Sequence, residues 1–256
     1  MQKCSQIIES ARPRTSIIYE PRGRAREYSE LAANLYRGCD HGCIYCYAPL
    51  ATRTKREDFH QPSVRANVIE KFRQDAKILS SVGEKRPILL SFTTDPYQRL
   101  DDKEQLTRKA IEILFANNLS VSILTKGGKR SERDFDILSE KSELSAYGAT
   151  LVFTDEDLRR KIEPYAAPTE ERITSLRRAY EQGIKTYVSL EPVWDPEQSL
   201  TLIEKTHEFV DFYKVGKLNY NAQQNIINWT QFKIDVISKL NELKKRYYIK
   251  IDLQKY

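Results

Sequence analysis

Beyond residue 60 the chain alternates short apolar runs with longer amphipathic ones, and this rhythm constrains its fold more than any other feature. Residues 64–80 read as a helix, with Val64, Val68, Phe72, Ala76 and Leu79 on one face. Residues 87–93 are short, continuously apolar and bounded by turn formers, the pattern of a buried strand. The alternation then repeats: helix 104–117, strand 119–125 ended by Gly127 and Gly128, helix 131–140 opened by Ser131 as N-cap, strand 145–153. It continues with helix 169–182 stopped by Gly183, strand 185–191 before Pro192, helix 197–207, strand 210–216 and helix 228–245. With a first strand over 31–36, six strands each precede a helix. Such units build a parallel sheet with right-handed crossovers, and six are too few to close an eight-stranded barrel.

The sequence therefore predicts an α/β fold, a partial (β/α)6 TIM-like barrel, with a doubly wound sheet as the alternative. No linker rich in glycine, serine or proline divides residues 31–256, which read as one barrel domain. Residues 1–30 are polar and basic, broken by Pro21 and Gly23, and are expected to form an N-terminal basic arm packed on the barrel. Residues 247–253 suit a final edge strand. Apolar runs such as 87–90 fall far short of a membrane span, and the first residues lack the apolar core of a secretory signal. A cytoplasmic protein without membrane contact is the expectation.

Net charge is +6, concentrated at Arg12, Arg14, Arg22, Arg24 and Arg26, then at Arg53, Lys55 and Arg56. A basic surface attracts polyanions such as nucleic acid. A solvated face balanced by some of the 36 acidic residues is the plainer reading. His60 and His207 lie in contexts where a surface histidine is expected.

Three of the four cysteines fall within eight residues, Cys39, Cys43 and Cys46, while Cys4 stands apart. Clustering at that density reads as a metal site rather than a disulfide framework. Thiolates suit an iron–sulfur cluster or zinc, and Gly38 and Gly42 let the loop turn tightly. A structural zinc site closes with four protein ligands. His41 is the one candidate for a fourth, awkwardly placed between the first two cysteines.

The spacing Cys39-x3-Cys43-x2-Cys46, with aromatic Tyr45 before the last cysteine and the loop following the first strand, resembles the radical S-adenosylmethionine (SAM) superfamily. The run from Ile17 through the cysteines to Pro49, then SFTTDPYQ, LTKG and DEDLRRKIEP, is similar to its spore photoproduct lyase-like branch over roughly residues 17–193. The resemblance implies a partial barrel and a [4Fe–4S] cluster with one iron open to SAM. It implies reductive cleavage of SAM to a 5′-deoxyadenosyl radical that abstracts hydrogen from a substrate. An external reductant of the flavodoxin or ferredoxin kind is implied as partner. Nucleic acid or a nucleotide is the substrate class to which the basic stretches point.

Candidate site residues follow at the carboxyl ends of the strands, where such barrels carry their chemistry. Thr93, Thr94 and Asp95 end the second strand, and the resemblance assigns this position to the methionine ammonium; Asp95-Pro96 as a simple turn is the other reading. Lys126, by resemblance, meets the SAM carboxylate, though a solvated lysine fits the sequence equally. Thr150 is implied near the same carboxylate, or is only a β-former. Ser189 and Glu191 end the fifth strand, where a carboxylate suits ribose hydroxyls. Tyr45 is implied beside the adenine, and Tyr47 matches a tyrosine of radical transfer, with packing as its alternative. Phe92 occupies the position where spore photoproduct lyase carries a hydrogen-donating cysteine. That departure weighs against photoproduct DNA repair, which stands as the second function. A non-catalytic metal- and nucleic-acid-binding module stands as the third.

Overall fold

The computed structural model describes residues 16–256; Cys4, Arg12, Arg14 and the first half of the expected arm lie outside them. Ten strands appear: β1 Ile18–Tyr19, β2 Leu31–Ala33, β3 Tyr36–Arg37, β4 Ser63–Val64, β5 Ile88–Leu90, β6 Val121–Thr125, β7 Ser145–Thr150, β8 Lys185–Val193, β9 Phe212–Lys217 and β10 Arg246–Ile249. Eight form one sheet in the order β1-β2-β5-β6-β7-β8-β9-β10. All neighbours are parallel except β1 and β2. The strands follow one another without the reversal that defines a doubly wound sheet. The six expected strands are β2 and β5 through β9, and the partial-barrel reading holds.

Several boundaries shift for local reasons. The expected strand 31–36 splits, because the chain leaves the main sheet after Ala33 and Tyr36–Arg37 pairs with Ser63–Val64 instead. Val64 is thus an exposed strand residue, and the helix begins after Asn67, at Val68–Ser81. Ser131 caps nothing: Gly128–Asp134 is a 3₁₀ turn ahead of the helix Phe135–Glu140, and the buried Ser131 hydroxyl turns to the Gly128 carbonyl and to Tyr147. The strand expected over 145–153 stops at Thr150, and Val152 and Phe153 pack against Ile162. The last strand ends at Ile249, and Ile251–Gln254 turns helical.

Register decides which side chains meet inside the barrel. Gly148 pairs with Tyr187, Thr150 with Ser189, Tyr187 with Phe212 and Ser189 with Lys214, and alternate residues share a face. Ala32, Leu89, Leu124, Ala146, Tyr187 and Phe212 gather on the inner face, with Tyr28 among them. Tyr187 crosses the bore and donates to the Ile123 carbonyl at 2.6 Å. It fits only because Gly148 faces it; a Cβ there would lie 2.3 Å from the Tyr187 ring. The other face carries Leu90, Ile123, Tyr147, Val188 and Val215 into the main core beneath the helices.

The gap between the first and last strands is spanned by the short helix Arg24–Tyr28. Glu27 accepts from Tyr248 and from the Ile251 amide, Arg24 pairs with Asp252 at 2.7 Å, and Lys214 donates to the Tyr28 carbonyl at 2.6 Å. Among the described residues no helix is long and apolar enough to cross a membrane.

Candidate active site

At the carboxyl ends of the strands a cavity of about 630 Å³ opens, and all twelve candidate site residues line it. The cysteine loop forms one wall. Gly38 has φ 78°, and a Cβ would lie 2.4 Å from the Phe59 carbonyl oxygen, the acceptor of the Cys39 amide. Gly42, at φ 69°, is pressed against Pro164 and Tyr165. Arg56 donates to the carbonyls of Cys43 and Cys46, each at 3.1 Å, so this arginine braces the loop instead of adding to a free basic surface. The Nδ1 of His60 lies 3.2 Å from the Cys39 carbonyl, so this half-buried histidine is part of the loop's support and not a bare surface residue. Arg24 is likewise engaged, through Asp252.

The thiols are chemically suited to a cluster. Burial raises all three above the ordinary thiol value, Cys43 to about 12, so metal capture must release protons. His41 is buried with both ring nitrogens engaged, its Nδ1 3.5 Å from Asp95 and its Nε2 3.3 Å from Arg130. Among the described residues no three histidine, cysteine or acidic side chains converge on one ion. A cluster that spreads three soft thiolate ligands over separate irons fits this donor set.

Asp95 is committed within the protein. Its Oδ1 accepts from Thr125 at 2.6 Å and the Tyr97 amide at 2.9 Å, and its Oδ2 accepts from the Lys126 amide at 2.7 Å. With His41 beside it, the roughly four acceptor sites of a carboxylate are filled. Burial opposes its charge, but His41, Thr125 and the backbone donors hold it below the usual carboxylate value. Asp95 thereby joins the ends of β5 and β6 as a clamp. Thr94 is similarly engaged, donating to the Gly38 carbonyl at 2.6 Å and accepting from Gln98. The Thr93 hydroxyl has no hydrogen-bond partner among the described residues, while its amide and that of Phe92 donate to Asn34.

Lys126 places its ammonium 5.7 Å from the Tyr45 ring centroid, with no hydrogen-bond partner among the described residues. Burial works against its charge, yet Cys43 and Glu163 raise its pKa above the ordinary value. The Tyr45 hydroxyl donates to Glu163, which is fully buried and paired with buried Arg172 at 2.6 Å. Arg172 also donates to the Thr150 carbonyl at 3.0 Å, tying this network to the end of β7. Thr150 and Ser189 are register partners, and Glu191 follows on the same face. One oxygen of Glu191 accepts from Lys250 at 2.6 Å, and Gly216 makes room for it. Tyr47 sits at the rim, 42% exposed, donating to the Phe92 carbonyl at 3.2 Å.

Glu163, Arg172, Arg130, Asn34 and Lys250 had no place in the sequence reading. Glu163 and Asn34 carried a signal, as parts of the DEDLRRKIEP run and of the run from Ile17 to Pro49.

The sequence profile of the Radical SAM superfamily matches residues 33–210, more than two thirds of the chain. An uncharacterized protein of Methanocaldococcus jannaschii is 28% identical over 229 residues, covering 83% of this chain and 85% of its own. One of Mycobacterium tuberculosis is 29% identical over 171 residues, covering 62% of this chain; the match spans 48% of that relative's length. Among solved structures, a spore photoproduct lyase variant superposes with TM-score 0.72 at 13% identity, over 93% of this chain and 80% of that one. SuiB of Streptococcus suis bound to S-adenosylmethionine gives 0.61 at 13% identity, over 85% and 45%. These structural likenesses are of fold. With its three-thiol loop on an open parallel barrel and a family match over most of its length, the chain belongs to the radical SAM superfamily, enzymes whose cofactors are a [4Fe–4S] cluster and S-adenosylmethionine.

Proposed function

We propose that Cys39, Cys43 and Cys46 anchor the cluster, that SAM lies along the ends of β5 to β8, and that a nucleotide or nucleic acid is the substrate. The observation that supports this most is the convergence of all twelve candidate residues, from one loop and four further strand ends, on one cavity. Cluster and SAM together supply a carbon-centred radical able to remove a hydrogen atom from a substrate.

The chain's own residues bind, orient and shield. Lys126, with its free ammonium, receives the methionine carboxylate as a point charge, and Thr150 adds its hydroxyl there. The unpartnered Thr93 hydroxyl faces the methionine ammonium, while Thr94 and Asp95 hold the loop and the strand ends in place around it. Ser189 and the second oxygen of Glu191 take the ribose hydroxyls. Tyr45, its phenol fixed by Glu163, offers its ring to the adenine. Tyr47, nearest the mouth, is the side chain proposed for hydrogen transfer at the substrate side. Phe92 on the cavity wall carries no transferable hydrogen, which favours a reaction other than photoproduct repair through a thiol at that position. An external reductant supplies the electron.

The test is anaerobic reconstitution with iron and sulfide, reduction, and chromatographic assay of 5′-deoxyadenosine from added SAM. Wild type should form it and Cys43→Ala should not. Zinc filling the site with no iron bound would overturn the proposal.

A further inference from the structure

Arginine is used unevenly in this molecule. Every arginine after Arg65 meets a carboxylate, a carbonyl oxygen or an aromatic face. Among the described residues, five up to and including that position meet none of these: Arg22, Arg26, Arg37, Arg53 and Arg65.

Two of the five share a surface. In the antiparallel ribbon of β3 and β4, Arg37 lies opposite Ser63, and the Arg65 amide donates to the Leu35 carbonyl at 3.4 Å. Arg37 and Arg65 are therefore diagonal neighbours on one face, with backbones about 7–8 Å apart. Arg65 is half-buried, and burial, then the charge of Arg37, lowers its pKa. Its other electrostatic neighbour is Tyr19, which lines the cavity, as does Arg22. A partly buried guanidinium beside a like charge, with no acid among the described residues to meet it, is costly. An oxyanion bound between the two relieves both costs, and the guanidinium fork matches phosphate oxygens.

We propose that Arg37 and Arg65 form a phosphate-binding site at the lip of the cavity, holding a phosphate of the substrate while its reacting part lies inside. The proposal rests on reading the cavity as the site of a nucleotide or nucleic-acid substrate, and it names the residues that hold that substrate's phosphate. Neither arginine belongs to the cofactor-binding set.

Binding of a fluorescein-labelled single-stranded oligonucleotide to the reconstituted protein, measured across a salt series, tests it. Arg37→Gln/Arg65→Gln should raise Kd about tenfold and flatten the log K against log salt slope by roughly one. Arg73→Gln/Lys77→Gln, the same charge change on the outer helix, should leave both nearly unaltered. If the lip variant behaves like this control, the proposal fails. Arg65→Lys keeps the charge and removes the fork, so a weaker loss of affinity is expected even where the double variant folds poorly. Competition by a nucleoside monophosphate distinguishes two forms of the site. Loss of competition in the variant marks a single-phosphate pocket, whereas loss of oligonucleotide binding alone marks a backbone track, and each supports a phosphate site. Formation of 5′-deoxyadenosine by the lip variant should match wild type. Absence of that product from wild type itself would strike the radical chemistry and leave the phosphate test standing.

Discussion

Glu163 is the residue on which the Tyr45 side of the cavity turns. It is fully buried, accepts from Tyr45 and neutralises Arg172, which in turn holds the Thr150 carbonyl. Replacing Glu163 with glutamine leaves a buried guanidinium without its counter-charge, a loss of about 3–5 kcal/mol, to be read from denaturant unfolding. Burial opposes the ionised form of Glu163, but Arg172 and Lys126 hold its pKa below the ordinary glutamate value of 4.5. A carboxylate whose folded pKa is depressed contributes stability that is present above its unfolded value and lost as pH falls through the folded one. Wild-type stability should thus decline below about pH 4.5, and Glu163→Gln should remove part of that slope; an unchanged slope would contradict the pairing. The cysteines were plain in the sequence, because three thiols within eight residues form a metal-binding pattern by spacing alone. Glu163 with Arg172 was not, since a buried ion pair nine positions apart follows no helical or strand period. Asp95 was visible as a residue, but its hydrogen bonds from Thr125, Tyr97 and Lys126 were not, because they arise where separate chain segments meet.

Among the elements, the helix Arg24–Tyr28 is the one that holds the seam. Its residues read as part of a basic arm, yet Glu27, its one acid, makes the main contacts, with Tyr248, the Ile251 amide and Lys250. Glu27→Gln weakens charge-assisted bonds at the seam and should cost about 1–2 kcal/mol, a drop in Tm of roughly 2–8 °C. A Tm equal to wild type would show that the seam does not depend on this residue. The central helices and strands were legible because their apolar periodicity matches their burial, as at Val68, Phe72, Ala76 and Leu79. The ribbon of β3 and β4 was not. Two-residue strands carry too little pattern, and the exposed Val64 looked like the start of an apolar helix face.

For the molecule as a whole, cofactor binding and stability are linked. A ligand bound only by the folded state, at a hundred times its Kd, stabilises by about 2.7 kcal/mol, or roughly 5–10 °C in Tm for a chain of this size. SAM should produce this rise with cluster-loaded protein and a much smaller one in Cys43→Ala, measured anaerobically by calorimetry. An equal rise in both would show that SAM binds without the iron site. The filled bore has a kinetic consequence. Under the proposed function, with Tyr28, Leu89, Tyr187 and Phe212 blocking the barrel below the cavity, the described residues leave traffic no back exit. Spent cofactor must leave through the mouth by which the next molecules arrive. Turnover is then a queue: exchange is sequential, accumulated products compete for the doorway, and a bulky substrate parked at the lip delays the departure of what lies behind it.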